Sequence, residues 1–262
     1  MKICIPTYKR VDSQITLSLI PKILYPDTYL VCNKFEEEDL KKYNVNLLVL
    51  PDDIKGIGNV RQYVVDNLDS KYIWFIDDDL SFLRRESNSI KLNKIKDEDF
   101  LELYNSNKTR LEKGYAIVGC SAQGGNNRFE GKFTYFGRIF SVYAINTDIL
   151  KKHNIKFNEM EVMEDFNVVL HLLRFGYRSI INTEFAHNQK ASNQSGGCSE
   201  SGRTYEVQKK SALLLAEKHK PFVNVVKKVL PAILPIALSF TPLGPVYGAA
   251  LGTGIAGLAT GQ

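Results

Sequence analysis

Cysteine and histidine are scarce in this chain of 262 residues, and charge is missing altogether from its last stretch. The four cysteines, Cys4, Cys32, Cys120 and Cys198, lie far apart, which leaves neither a CxxC zinc site nor a disulfide framework. Cys4, Cys32 and Cys120 fall inside apolar runs and read as small core residues, as expected in a reducing cytoplasm. The opening MKICIPTYKR lacks the apolar length of a signal peptide. No internal repeat is present. From Val229 to Gln262 there is no charged side chain. That length would suffice for a bilayer span of about 20 residues. However, Pro231, Pro235, Pro242 and Pro245 interrupt it, and each interior proline costs a helix about 3 kcal/mol. Packing against protein is therefore the expectation, with a membrane disfavoured. A net charge of +5 is compatible with a polyanionic partner but too small to require one.

What stands out among the residues present is Tyr72-Ile73-Trp74-Phe75-Ile76 followed by Asp77-Asp78-Asp79. β-Branched and aromatic residues suit a strand covered on both faces. Three adjacent carboxylates repel one another, and are tolerable where a strand emerges into water or onto a cation. In open α/β sheets that end of the strand is where ligands bind. Asp77 and Asp79 could hold a divalent cation against a diphosphate, because hard cations prefer oxygen ligands.

Strands and helices alternate through the first half. Strand-like segments fall at residues 3–5, 29–32, 46–50 and 72–76, a helix-like stretch runs to about residue 24, and further helices are expected at 36–43 and 59–68. This order predicts an α/β fold with a mainly parallel, doubly wound sheet. Residues 84–99 read as a polar loop. Later strands are expected at 116–120, 138–145 and 179–181. A helix is expected at 163–174, with Gly176 as its C-cap, and a lysine-rich helix at 203–228. The division expected is a catalytic unit over 1–228 and an uncharged tail over 229–262.

The ordered set IPTYKR, GIGNVRQ, WFIDDDL and MEDFNVVLHLLRFGY resembles the GT-A nucleotide-sugar glycosyltransferases over roughly residues 1–190. The longer stretch ending in NQSGGCS is similar to the TET-associated glycosyltransferases, which occur largely in bacteriophages and are proposed to act on hydroxymethylated pyrimidines in DNA. The resemblance implies a GT-A fold, a nucleotide-sugar donor (a UDP-sugar by analogy), Mn²⁺ or Mg²⁺, a DNA acceptor and, if the chain is phage-encoded, the host cytoplasm.

Residue by residue, the resemblance implies a donor site from Pro6, Thr7, Tyr8 and Arg10, with Asn59 and Arg61 approaching the diphosphate. Asp77 would contact ribose or metal, Asp79 the metal directly, and Asp78 would support them. His187 matches a third metal ligand. Asp165 would be the general base of an inverting displacement, with Glu164 beside it orienting the loop or touching the acceptor. Lys190, Asn193, Gln194, Ser195 and Arg203 could close over phosphates or acceptor. Read singly, several of these are ordinary: Arg61 as a surface cation, the acidic pair as a complement to a helix dipole, the late loop as solvated chain. The cations Arg203, Lys209, Lys210, Lys218, Lys220, Lys227 and Lys228 against Glu206 and Glu217 could track DNA phosphates or simply form a solvated helix face. Two other functions fit the same pattern: a transferase acting on polysaccharide or glycolipid, and a silent nucleotide- or DNA-binding module. Retention of Asp77, Asp79 and Asp165 together argues against the silent module.

Overall fold

The computed structural model describes residues 1–128, 130–135, 137, 139–189, 204–226 and 237–240. The first half builds β1 (Lys2–Pro6), β2 (Thr28–Asn33), α1 (Glu37–Leu40), β3 (Asn46–Leu50), α2 (Ile57–Asn67) and β4 (Tyr72–Ile76). Then come β5 (Leu80–Arg85), β6 (Leu92–Lys94), α3 (Asp97–Glu112), β7 (Ile117–Ala122), β8 (Phe133–Tyr135), β9 (Val142–Asn146) and α4 (Thr147–Lys152). The chain continues through α5 (Glu164–Arg174), β10 (Ser179–Gln189), α6 (Tyr205–Lys218), β11 (Val223–Val226) and β12 (Ala237–Phe240).

The main sheet runs β3-β2-β1-β4-β9-β7-β10-β5-β6, with β8 pairing to β10. Strands β3, β2, β1 and β4 pair in parallel, as do β7 and β10, while β9, β5 and β8 run against their neighbours. The α/β expectation therefore holds, in a mixed sheet with most strands pointing one way. Alternation along β4 divides the core between the two faces. Trp74 and Ile76 join Phe82, Phe100 and Leu103 on one side. Ile73 and Phe75 join Tyr143, Phe157, Val168 and Leu172 on the other. A smaller apolar cluster, Met160, Leu170, Ala212, Leu215 and Val223, seats α6 on α5.

Several expected boundaries change. The stretch before residue 24 forms only short 3-10 turns at Leu17–Leu19 and Lys22–Asp27, because Pro21 and Pro26 deny the backbone donors a continuous helix needs. Residues 84–99 are not loop: β5 and β6 form a hairpin there, and α3 begins at Asp97, where the Asp99 carboxylate accepts the Lys96 backbone N–H. Strand β9 begins at Val142 rather than 138. β10 extends to Gln189, so His187 lies within a strand. The lysine-rich helix stops at Lys218 and a strand follows. Gly176 does close α5, with φ +81° and its N–H bonded to the Leu173 carbonyl. The expected division at residue 228 falls between β11 and β12, which pair antiparallel from Val223↔Phe240 to Val226↔Ala237. Among the described residues no helix is long and apolar enough to cross a membrane.

Candidate active site

Strands β1 and β4 are adjacent and parallel, so the turn after Pro6 and the acidic turn after Ile76 emerge side by side. Their side chains interlock. Thr7 donates its hydroxyl to Asp78 at 2.9 Å and accepts from the Gln14 amide at 2.8 Å. Arg10 bridges Asp78 at 2.6 Å and Asp79 at 2.9 Å. The backbone of the acidic turn is pinned by Thr16, whose hydroxyl donates to the Asp77 carbonyl at 2.5 Å and whose N–H donates to the Asp78 carbonyl at 3.0 Å. Burial pushes the Asp78 carboxyl up to about 6, against the pull of Arg10 and Thr7. Asp78 is thus a buried strut, and Asp77 and Asp79 flank it.

Tyr8 is half-buried beside this turn, with its ring edge-on to the exposed Phe35 at 6.2 Å. Pro6 ends β1 and registers against Val31 of β2. These positions suit a stacking surface for a nucleobase. Asn59 is exposed and turns its amide back to the Lys55 carbonyl at 2.7 Å, so it is not drawn into the cluster.

Arg61 differs from its expected disposition. It is 4% exposed, and its two Nη atoms donate to Glu164 and, at 2.9 Å, to Asp77. Its guanidinium lies 5.3 Å from the Tyr143 ring centroid. Burial works against its charge, but the Tyr143, Glu164 and Asp77 groups around it more than offset that and hold it protonated. Burial likewise pushes Glu164 up to about 7, with Arg61 opposing. Asp77, just beyond β4, is also raised by burial against the same guanidinium. Met163, in the left-handed region at φ +68°, turns the chain so that Glu164 is buried while Asp165 stays partly exposed. Asp165 accepts the Phe166 N–H at 2.9 Å and keeps an outward face at the N-terminus of α5.

Five carboxylates, Asp77, Asp78, Asp79, Glu164 and Asp165, surround two guanidinium groups, Arg10 and Arg61. That surplus of negative oxygen suits a hard divalent cation. Among the described residues no three His, Cys, Asp or Glu side chains converge as a ready cage. Mg²⁺-type sites need only one or two carboxylates when substrate phosphates and water supply the rest, so Asp77 and Asp79 fit such a group. Among the described residues His187 does not complete a triad with them. It is 2% exposed, aligned with Phe82 of β5 and edge-on to Phe140 at 5.3 Å. Two residues on, and about 7 Å further along the strand, Gln189 reaches both Asp79 oxygens at 3.2 and 3.3 Å.

Sequence reasoning does not single out Gln14, Thr16, Tyr143 or Gln189. Tyr143 lies in β9, whose five residues are all buried, so alternation does not mark it. The other three carry no local signal, because their roles come from contacts across 7 to 110 positions of chain. Lys190, Asn193, Gln194, Ser195 and Arg203 lie outside the described residues.

Comparison with known proteins gives the family and the fold. A family model described as TET-Associated Glycosyltransferase matches residues 1–197. The Beta-glucosyl-HMC-alpha-glucosyl-transferase of Enterobacteria phage T2 is 24% identical over 212 residues, covering 74% of this chain and 73% of that protein. Among solved structures, S. aureus TarS 1-349 in complex with UDP-GlcNAc superposes with a TM-score of 0.52 at 17% identity, over 81% of this chain and 66% of that one. This chain therefore spans just under two thirds of that structure. Glucosyl-3-phosphoglycerate synthase from Mycobacterium tuberculosis, with Mg²⁺ and UDP, gives 0.51 at 12% identity, over 90% and 85% of the two chains. At these identities the structural likeness carries the fold, which is that of GT-A enzymes.

Proposed function

The chain belongs to the TET-associated glycosyltransferase family, and from that membership we propose that it moves a sugar from a nucleotide-sugar donor to the hydroxyl of a 5-hydroxymethylpyrimidine in DNA. The observation that carries the reading is the meeting of the β1 turn, the β4 acids and the N-terminus of α5 in one cluster. The donor base would stack at Tyr8, beside Pro6 and Thr7. Asp77 and Asp79 would hold Mn²⁺ or Mg²⁺, which when bound stabilises negative charge on the departing diphosphate. Arg10, now spanning Asp78 and Asp79, lies where it can turn toward donor phosphate. Asp165 accepts the proton of the attacking hydroxyl as its oxygen bonds to the anomeric carbon and the bond from that carbon to the diphosphate breaks. A positioned base of this kind contributes roughly 10²- to 10⁴-fold. One displacement inverts the anomeric centre. The host cytoplasm is the setting if a phage encodes the chain.

A second reading concerns the acceptor. The phage T2 relative is named for a beta-glucosyl-HMC acceptor and an alpha linkage, so the hydroxyl could belong to a sugar already on the base. One assay separates the two. The enzyme is incubated with Mn²⁺, a panel of nucleotide sugars, and DNA bearing 5-hydroxymethylcytosine, 5-hydroxymethyluracil or their glucosylated forms. The DNA is then digested to nucleosides for mass spectrometry, and the anomeric coupling of the product is read by NMR. A mass gain on hydroxymethylated base with inverted linkage is expected. Gain only on glucosylated base supports the second reading, and retention at the anomeric carbon contradicts the role given to Asp165. Donor hydrolysis with no DNA product would move the acceptor to a glycan or lipid.

A further inference from the structure

Helix α2 joins the donor-side acids to the acceptor-side helix, and three neighbouring contacts make the junction tight. A Cβ on Gly58 would sit 2.7 Å from the Met160 carbonyl oxygen and 3.0 Å from that of Phe157, so α2 rests directly on the backbone leading into α5. The Gln62 side-chain carbonyl accepts the Phe157 N–H at 2.9 Å. Between them, Arg61 spans Glu164, the first residue of α5, and Asp77, the residue that follows β4, with its guanidinium carbon 5.3 Å from the Tyr143 ring centroid. With both Nη atoms engaged by carboxylates, Nε buried and 4% exposure, the guanidinium faces protein rather than solvent.

We propose that Arg61 is a positioning residue that clasps the Asp77 turn to the start of α5, and that Glu164 is its fixed counter-ion rather than a participant in transfer. The inference rests on the reading of Asp165 as base and of Asp77 as part of the donor site. A planar fork of donors holds two carboxylates in one mutual geometry, whereas a lysine ammonium acts as a point charge and cannot. Asp165 follows Glu164 directly, so the clasp sets where the base stands relative to the donor.

The test compares R61K, E164Q and E164A in the full chain. It measures nucleoside diphosphate affinity with Mn²⁺ by calorimetry, sugar transfer to hydroxymethylated DNA, and amide exchange at Asn167, Val168 and Val169. A misplacement of about 1 Å can cost on the order of 100-fold in rate. On that scale R61K should lose at least about 30-fold in transfer while holding donor affinity within about threefold, and the α5 amides should exchange faster. The carboxamide oxygen introduced by E164Q can still accept from Nη1 of Arg61, so that variant should keep transfer within about fivefold while E164A falls with R61K. Donor affinity lost in step with transfer in R61K would overturn the clasp and return Arg61 to the diphosphate. E164Q as inactive as E164A would overturn it too, as would unchanged exchange in R61K. If R61K does not fold, the E164Q and E164A pair decides. If the wild type moves no sugar to any acceptor, the functional reading has failed, and amide exchange still decides the clasp separately.

Discussion

At the scale of single residues, the cluster shows how the same side chain serves different ends according to what surrounds it. Asp78, 5% exposed and bonded to Thr7 and Arg10, is structural, while the side chains of its neighbours Asp77 and Asp79 stay partly exposed. Glu164 and Asp165 divide in the same way, one turned in to Arg61 and one out. The sequence groups these acids but cannot say which of each group is buried. That depends on the twist of the β4 turn and on the left-handed Met163, a conformation no local pattern announces. A titration prediction belongs at this scale, away from the acids. His219 is fully buried, bonds Asn167 at 2.9 Å, and stands 4.7 Å from the ring of His171. Burial first, then His171, lowers it to about 3. The unfolded chain, with a histidine near 6.5, takes up a proton before the fold does. Stability is therefore fully present above pH 6.5 and is lost as pH falls, by at most about 2 kcal/mol at pH 5. Urea melts at pH 7.5 and 5 should show that loss. His219→Gln, which can still donate to Asn167, should flatten it, leaving a residual slope from His171, which burial also lowers.

At the scale of elements, α2 is the part whose sequence says most once its packing is known. GIGNVRQ reads as a flexible entry to a helix, but the glycine that matters is Gly58, and the reason is proximity rather than backbone freedom. Gly58→Ala would drive a methyl group into the Met160 and Phe157 carbonyls. Overpacking of this kind costs typically about 1–3 kcal/mol. The expected result is a lowered melting temperature together with slowed transfer, because α2 moves off the segment that leads to α5. Wild-type stability and activity in this variant would show that the junction is loose. Legibility varies in the same physical terms. Strand β4 and helix α5 announce themselves because their apolar positions follow a single period, and their ends carry acids or a glycine. Helix α3 does not. Its opening residues Asp97, Glu98 and Asp99 are polar, so the stretch reads as loop until Phe100, Leu103, Tyr104 and Leu111 are seen on its buried side. His187 is legible as a histidine after a strand, yet β10 runs longer than its apolar start suggests. Its pairing with both β5 and β7 carries the strand onward.

At the scale of the whole molecule, the sheet order explains why residues more than 150 positions apart make one site. Parallel β1 and β4 deliver two turns to the same edge, and α2 packs against the segment that opens α5. The antiparallel partner β9 places Tyr143 beneath Arg61. The family match runs through residue 197 and covers every residue that the proposed transfer uses at the donor and acceptor sites. The most direct test sets Asp79→Asn beside Asp165→Asn and measures nucleoside diphosphate affinity with Mn²⁺ and sugar transfer to hydroxymethylated DNA in both. Asp79→Asn should lose metal-dependent donor binding and transfer together. Asp165→Asn should bind donor like the wild type and lose roughly 10²- to 10⁴-fold in transfer. Equal loss of donor affinity in the two variants, or transfer undiminished in Asp165→Asn, would contradict the account.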